Sequence, residues 1–245
     1  MNPTIENMLK HVSVRKFTDQ PITNQQKDNL LKAAQSGSTT ELVQAFSIIE
    51  ITDPQLRLKI SDITKSSHHV ETADTFYIFV ADLNRQYNIL KANNLPVDSL
   101  QNMESLLVAT IDTTIAAQNM AIAAESMGLG ICYIGSIRNN IKEVAHLLNL
   151  PKYTFPVFGM TIGVPSVKNP QKPRLLRHNQ VATNTYDSQN FDQLSDYDQI
   201  IKEYYAHRNT NQQDTTWTEK NLSIFKQANR PEVTDFLKKQ GFALK

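Results

Sequence analysis

The sequence contains only one cysteine, Cys132, in 245 residues. A single cysteine excludes an intrachain disulfide, which is typical of proteins from a reducing compartment. Because Cys132 lies within an apolar run, we interpret it as a small buried hydrophobic residue rather than a nucleophile. The N-terminus has no apolar stretch of signal-peptide length, so we expect a cytoplasmic protein.

An excess of charge of one sign is also missing. The chain has 25 basic and 24 acidic residues, a formal net charge of +1 at pH 7. This balance provides no long-range attraction to nucleic acid or to an anionic membrane, so neither is expected as a partner. Any anionic ligand must therefore be held by a local cluster of cations.

Several motifs of catalysis and cofactor binding are absent from the sequence. It has no GxGxxG or GxxxxGK[ST], so a Rossmann or P-loop nucleotide site is not expected. It has no G-x-S-x-G nucleophile motif either. His68 and His69 are adjacent, so their side chains diverge, and no cysteine or third histidine stands at ligand spacing. No metal site is expected.

The longest apolar stretch runs from Ser105 to Met127. Apolar or small side chains occur on all of its faces, which is typical of a buried helix. Polar residues such as Asp112 and Glu125 interrupt the stretch, so we do not expect it to span a membrane. Gly128 follows as a predicted left-handed C-cap.

The remaining hydrophobic pattern predicts an α+β fold. Runs rich in β-branched and aromatic residues predict four strands, Phe46–Thr52, Phe76–Ala81, Ile131–Ile134 and Phe155–Val164. Helices do not alternate regularly with these strands, so we expect a mixed or antiparallel sheet packed on the long helix rather than a doubly wound one. The region 84–97 is expected to be irregular, and no linker divides the chain into domains.

Three polar residues near the N-terminus, His11, Ser13 and Arg15, are spaced at intervals of two. In a strand this spacing places them on one face. An imidazole, a hydroxyl and a guanidinium on one face suit an oxyanion or an electron-rich ring edge. An ordinary solvated strand remains the alternative.

A second basic cluster, Lys172-Pro173-Arg174, lies in a proline-rich segment. The proline fixes its own φ and can hold the two cations at a set separation. A solvated loop is the alternative here. Two such clusters in one chain favour a phosphate-binding site but do not establish one.

Taken together, the sequence resembles the nitroreductase family of flavoproteins, in particular the group of oxygen-insensitive NADPH nitroreductases and NADPH–flavin reductases. The similarity covers essentially the whole chain, and the matching segments occur in the same order as in the family. They are PTIENMLKHVSVRKFTDQPI, SIIEITD, DLNR, ATIDTTIAAQNMAIAAESMGLGICYIGSIRNNI, LPKYTFPVFGMTIGVP, KPR, EYYAHR, DTTW and NRPEVTDFLKKQGFA.

The resemblance implies a single α+β domain over residues 1–245, with a C-terminal helical excursion at about residues 186–245. It further implies an interlocked homodimer in which the long central helices help form the interface. Each subunit would bind one FMN at that interface, with NADPH, or also NADH, as electron donor and small-molecule electron acceptors as substrates.

The resemblance also assigns roles to individual residues. Those implied to bind FMN are His11, Ser13, Arg15, Ser38, Thr39, Thr40, Ser67, Tyr133, Ile134, Gly135, Ser136, Lys172 and Arg174. Those implied to contact NAD(P)H or the acceptor are Arg208, Arg230, Glu41 and Leu42. Ser67 stands where relatives usually carry a glutamine, and Gln212 and Gln213 stand where they carry a second arginine.

The activity implied is a ping-pong reaction in which hydride passes from NAD(P)H to N5 of FMN and then to a nitroaromatic, a quinone or free flavin. Transfer of two electrons would make nitroreduction insensitive to oxygen. No protein side chain is assigned as catalytic acid or base. The alternatives left open are reduction of free FMN as the main role and a non-catalytic FMN-binding or storage protein.

Overall fold

The computed structural model describes residues 1–65, 67–208 and 211–242, and of Ser67 only the backbone. The chain forms two compact units. The first consists of Met1–Asn169 with Arg230–Lys245, and the second of Pro170–Asn229. The implied single domain with an excursion from about residue 186 stays a prediction.

A four-stranded sheet forms the centre of the first unit. Its strands are β1 (Phe46–Glu50), β2 (Thr75–Asp82), β3 (Gly130–Ile134) and β4 (Thr154–Gly163). They follow the order β1-β2-β4-β3, and every neighbouring pair is antiparallel. All eight residues of β2 are buried because apolar side chains cover both faces of the sheet. The predicted α+β class and the four predicted strands are confirmed.

Helices of the first unit surround this sheet. They are α1 (Pro3–Leu9), α2 (Asn24–Gln35), α3 (Pro54–Thr64), α4 (Ser67–Thr72), α5 (Asn84–Ala92), α6 (Met103–Ser126), α7 (Ile141–Leu147) and α11 (Glu232–Gln240). Local capping explains several of their starts. Thr23 and Gln26 form a capping box at α2, and Asp53 caps α3 ahead of Pro54.

The prediction that residues 84–97 are irregular is wrong, because α5 occupies Asn84–Ala92. Leu83 precedes this helix and provides no side-chain cap, so the usual start signal is missing from the sequence. Tertiary packing supports the helix instead. The ring of Tyr87 stacks on Tyr153 at 4.8 Å, and Leu90 packs against the same cluster of buried residues.

The long central helix is α6. Asn102 caps it by accepting a hydrogen bond from the Ser105 amide, and Gly128 follows its end with φ +79°, as predicted. One face packs on the sheet, but Met103, Leu107 and Ile111 are 46–50% exposed. The prediction that every face of this helix is buried is therefore wrong for the isolated chain.

By length and composition, α6 is the one helix among the described residues that is long and apolar enough to cross a membrane. This is weak evidence for a span, because the core helix of a soluble protein meets the same criteria. In this chain, Ala109, Ala116, Ala117 and Met120 of α6 are fully or almost fully buried. We interpret α6 as a core helix.

The second unit is helical in its described part. It contains α8 (Ser188–Phe191), α9 (Ser195–Ala206) and α10 (Trp217–Phe225). Its small core consists of Tyr197, Ile201 and Tyr205 on one face of α9, with Trp217 packed against them. Thr216 and Glu219 form a capping box at the start of α10.

Candidate functional site

Three of the segments predicted to bind a ligand contact the same helix, α6. Glu125 bonds to His11, Gln118 to Tyr133, and Asp112 to Thr40. Gln118 and Glu125 are seven residues apart, about two turns, and so lie on one face of α6. Through these contacts α6 positions the candidate site in the first unit.

The first segment, residues 11–15, is named here the donor segment. It forms no regular strand in the described structure, but Ser13 bridges Ile131 in parallel and the Val14 amide donates to the Ile131 carbonyl at 2.8 Å. The segment can approach β3 because residue 130 is glycine. A Cβ at Gly130 would stand 2.5 Å from a methyl carbon of Val14.

His11 is oriented by a carboxylate that the sequence interpretation missed. Its Nδ1 lies 2.6 Å from Oε1 of Glu125, whose side chain is only 13% exposed. An ionised carboxylate can only accept, so Nδ1 carries the proton and Nε2 remains for another partner. From the sequence, Glu125 is noted only as an interruption of the apolar helix. A single acidic residue near the end of such a helix is the one feature that could have indicated its role.

The other two polar side chains of the donor segment, those of Ser13 and Arg15, remain available to bind a ligand. Among the described residues, neither the Ser13 hydroxyl nor the Arg15 guanidinium makes a hydrogen bond or an ion pair. Burial lowers the pKa of His69, and the nearby Arg15 lowers it further, which places Arg15 close to α4. A hydroxyl and an oriented imidazole fit a phosphate group, and a guanidinium in the same segment fits an electron-rich ring edge. The donor set therefore fits FMN.

The segment predicted to line the flavin ring is the end of β3 and the turn after it. The Tyr133 hydroxyl donates to Gln118 at 3.2 Å, and its ring meets Phe158 edge-on at 5.2 Å. Burial, and then Glu125, raise the pKa of Tyr133, so this phenol stays neutral. The Ile134 side chain is buried in the core, which leaves only its backbone for a ligand.

Gly135 and Ser136 open a 3-10 turn, Gly135–Asn140, and both are partly exposed. Arg230 is brought to this turn, because its Nε donates to Oδ1 of Asn139 at 2.9 Å. Burial lowers the pKa of Arg138, with Arg230 as a second cause, so two guanidinium groups are neighbours here. Arg138 in turn donates to the Val157 carbonyl.

A hydroxyl-rich loop follows α2. Ser38 and Thr40 are exposed and Thr39 partly so, while Leu42 is 77% exposed. The Thr40 hydroxyl donates to Asp112 at 3.3 Å, so toward a ligand it can only accept. Glu41 is exposed as well. The side chain of Ser67, predicted to face the flavin ring, lies outside the described residues.

In the second unit, Lys172 and Arg174 flank an anchored proline. The Tyr197 hydroxyl donates to the Pro173 carbonyl at 3.0 Å, which ties this segment to α9. Burial raises the pKa of Tyr197, and the neighbouring Arg174 opposes that shift. Among the described residues the Lys172 ammonium has no hydrogen-bonding partner, and Arg174 donates only to the Lys172 carbonyl.

Arg208, predicted to contact NADPH, has a companion that the sequence interpretation missed. Arg208 lies 5.6 Å from the ring centroids of both Tyr204 and Tyr205. The Lys220 ammonium lies 4.3 Å from the Tyr205 centroid and donates to Oε1 of Gln213 at 2.6 Å. A second cation is thus close to Arg208, although the sequence has glutamines where an arginine was expected.

Comparison with known proteins identifies the family of this chain. The profile of the nitroreductase family matches residues 8–164, and that of the family's C-terminal domain matches residues 172–245. The chain is 40% identical to an FMN reductase (NADPH) of Bacillus subtilis over 246 residues, covering 99% of each. It is also 40% identical to an oxygen-insensitive NADPH nitroreductase of Salmonella typhimurium over 243 residues, again 99% of each.

A solved nitroreductase structure from B. subtilis superimposes on this chain with a TM-score of 0.93 at 39% identity. The match covers 98% of this chain and 99% of the other. Similarity of this extent includes both the sheet with its central helix and the second unit, which carries the second basic cluster. The chain belongs to the nitroreductase family.

Proposed function

We propose that this chain is an FMN-dependent NAD(P)H oxidoreductase that delivers two electrons at a time to nitroaromatics, quinones or free flavin. Family membership and the full-length similarity to an FMN reductase (NADPH) and an oxygen-insensitive NADPH nitroreductase support this class. The structural observation that carries the proposal is the donor segment, in which Ser13 and Arg15 have no protein partner in the described structure.

The chain's contribution at the phosphate end of FMN is binding and orientation. In the first unit, His11, held by Glu125, and Ser13 would donate hydrogen bonds to the phosphate. Arg15 would lie toward the flavin ring, where its positive charge would favour the reduced flavin. FMN, when bound, supplies the hydride-transfer chemistry itself.

At the ring and acceptor end the chain supplies backbone amides and a shaped loop. Gly135 and Ser136 begin the 3-10 turn, whose first backbone N–H groups would donate to the ring, and the Tyr133 phenol is bonded to Gln118 of α6. Glu41 and Leu42 face solvent in the loop after α2 and are the side chains that select the acceptor. Stacking of an acceptor on the flat flavin ring would need few substrate-specific hydrogen bonds, which favours broad acceptor use.

Anaerobic stopped-flow absorbance tests this function. Purified protein that retains FMN is mixed separately with NADPH and with NADH, and the flavin band is followed. Rapid bleaching is expected, followed by reoxidation with a nitroaromatic, menadione or free FMN. The rates with these three acceptors decide between nitroreduction, quinone reduction and flavin reduction as the main activity. Retained FMN that neither nucleotide bleaches would identify a flavin-binding or storage protein instead.

NADPH is the donor we expect to be preferred over NADH. Arg208 and Lys220 both lie on Tyr205, and among the described residues neither forms an ion pair with a carboxylate. Two such cations suit the extra phosphate of NADPH. Replacing Lys220 by Met should lower the ratio of kcat/KM for NADPH to that for NADH about tenfold.

A matched control for this test is Lys226→Met, at the exposed end of the same helix, α10. It should leave the ratio unchanged. An unchanged ratio in Lys220→Met would remove Lys220 from nucleotide selection and leave Arg208 as the only candidate in this segment.

We also propose a homodimer. The exposed residues Met103, Leu107 and Ile111 form an apolar stripe along α6, and α1, which packs on α6, exposes Ile5 and Leu9. Exposed apolar surfaces of this kind mark protein interfaces. Sedimentation analysis should give twice the chain mass, and Ile111→Asp should shift it to monomer. Leu58→Asp, on α3, is the control.

We further propose a cytoplasmic location. A single cysteine, which excludes an intrachain disulfide, together with use of a pyridine nucleotide, supports a reducing compartment. Fractionation of cells with an antibody to the chain tests this, and recovery in a membrane or extracellular fraction would contradict it.

A further inference from the structure

The loop of residues 40–45, named here the acceptor loop, has an unusual backbone. Glu41, Leu42 and Gln44 have positive φ values of 45°, 60° and 52°. Residues with a Cβ avoid this left-handed region, because the side chain crowds the following carbonyl. Three such residues in one short loop make a strained conformation, which persists only where the surroundings fix it and is common at ligand sites.

One buried side chain fixes both ends of this loop. The Asp112 carboxylate of α6 is 0% exposed. Its Oδ1 accepts from the Thr40 amide at 2.9 Å and from the Thr40 hydroxyl at 3.3 Å, and its Oδ2 accepts from the Ala45 amide at 3.0 Å. Every donor is a neutral group of the loop.

Asp112 forms no ion pair within the described part of the chain. A buried carboxylate without a counter-ion is costly unless hydrogen bonds satisfy it, and here these bonds come entirely from the acceptor loop. An apolar residue of similar size would suit the interior of α6 better. The carboxylate is therefore explained by the loop that it holds and not by the packing of its own helix.

Carbonyl groups of the loop and of Phe46, the first residue of β1, are held by side chains of α5. Arg85 donates to the carbonyls of Gln44 at 3.0 Å and Phe46 at 2.6 Å, and Gln86 donates to the Val43 carbonyl at 2.9 Å. Amides held by α6 and carbonyls held by α5 leave the loop backbone little freedom. The side chains of Glu41 and Leu42 remain exposed between these two anchors.

We propose that Asp112 is a positioning residue for the electron-acceptor site. Its buried carboxylate holds the acceptor loop in the strained shape that presents Glu41 and Leu42 to aromatic acceptors. Asp112 touches neither cofactor nor acceptor and acts through the loop. This inference rests on the proposed function, because it is the proposed function that assigns Glu41 and Leu42 to selection of the electron acceptor.

Asp112→Asn is the variant that tests this role. It keeps the size of the side chain but turns one acceptor oxygen into an amide that faces an N–H donor. The KM for menadione and for a nitroaromatic should rise about tenfold, with kcat changing less than twofold. Amide hydrogen exchange at Thr40 and Ala45 should become at least about tenfold faster, measured on the protein without added acceptor.

A second variant separates positioning from simple damage to α6. Glycine adopts a positive φ without steric cost, so Gln44→Gly relieves strain in the loop without removing a pocket side chain. Combined with Asp112→Asn, it should restore most of the wild-type KM. A general weakening of α6 would not be rescued by a glycine in the loop, so absence of rescue overturns the proposal.

The proposed function and the role of Asp112 are refuted by different results. Wild-type protein that neither retains FMN nor reduces acceptors refutes the proposed function, and the hydrogen-exchange measurement still tests whether Asp112 holds the loop. Unchanged exchange at Thr40 and Ala45 in Asp112→Asn refutes that role. An unchanged acceptor KM, in a variant whose wild-type parent is active, refutes the link from the loop to the acceptor.

Discussion

The donor segment and the acceptor loop are both attached to α6, but they are attached in opposite ways. In the donor segment the backbone lies against β3, and the side chains of Ser13 and Arg15 have no partner in the described structure. In the acceptor loop the backbone is strained and tied down by Asp112 and Arg85, while Leu42 projects into solvent.

This difference separates two tasks of a binding site. Unpaired polar side chains on a well-supported backbone are available to bind a fixed, charged group such as a phosphate. A backbone held by many hydrogen bonds, with exposed side chains projecting from it, shapes a site without committing to one ligand. Substitutions in the two regions should therefore affect different measurements.

The largest effect is expected from Arg15→Ala. Losing one charge-assisted contact should raise the Kd for FMN about 10- to 100-fold, and reduction of the bound flavin by NADPH should slow. Titration of the apoprotein with FMN, followed by flavin fluorescence, measures this. Lys16→Ala, the exposed neighbouring cation, is the control. Wild-type affinity and rate in Arg15→Ala would remove Arg15 from the site.

For the acceptor loop, the variant that corresponds to Arg15→Ala is Arg85→Ala, on α5. It removes the donors to the Gln44 and Phe46 carbonyls and leaves the buried Asp82 without its ion pair. The free energy of unfolding should fall by about 1–2 kcal/mol, with the Kd for FMN within about twofold of wild type. Urea denaturation measures the first quantity. A large loss of FMN affinity would show that the two regions are not separate.

A smaller effect is expected at the link between the donor segment and α6. Glu125→Ala leaves the His11 imidazole without its acceptor, and the Kd for FMN should rise about 5- to 10-fold. Glu125→Gln keeps an oxygen for Nδ1–H and should lose less. Equal affinity in wild type and both variants would show that Glu125 has no part in orienting His11.

The smallest effect concerns pH. Burial, and then Arg15, hold the pKa of His69 below its ordinary value of 6.5 in the folded chain. The unfolded chain therefore binds this proton more tightly, so stability is full above about pH 7 and declines as pH falls through the unfolded pKa. Replacing His69 by Gln should flatten this decline in urea denaturation.

Arg15→Ala offers an independent check on the same group. The pKa of His69, followed by NMR, should rise but stay below 6.5, since burial is the larger cause and remains. A pKa of His69 that does not respond to Arg15→Ala would contradict their proximity, and with it the position assigned to the Arg15 guanidinium.

The sequence by itself determined the elements whose signals are local. Four β-branched or aromatic runs became the four strands, and Gly128 ends the long helix because glycine accepts a positive φ without cost. The order of family motifs along the chain identified the family, because that order needs no knowledge of contacts. The donor segment was also proposed from its spacing and stays a prediction, while the strand conformation expected for it is reduced to one isolated bridge at Ser13.

The tertiary structure alone decided what depends on distant partners. Asp112 meets Thr40 across 72 residues, and Glu125 meets His11 across 114, so neither pairing leaves a periodic pattern in the sequence. The same holds for Lys220 on Tyr205, for the Ile134 side chain in the core, and for the exposed stripe of α6. Hydrophobic periodicity reports that a face is apolar, but only packing decides whether this chain covers it.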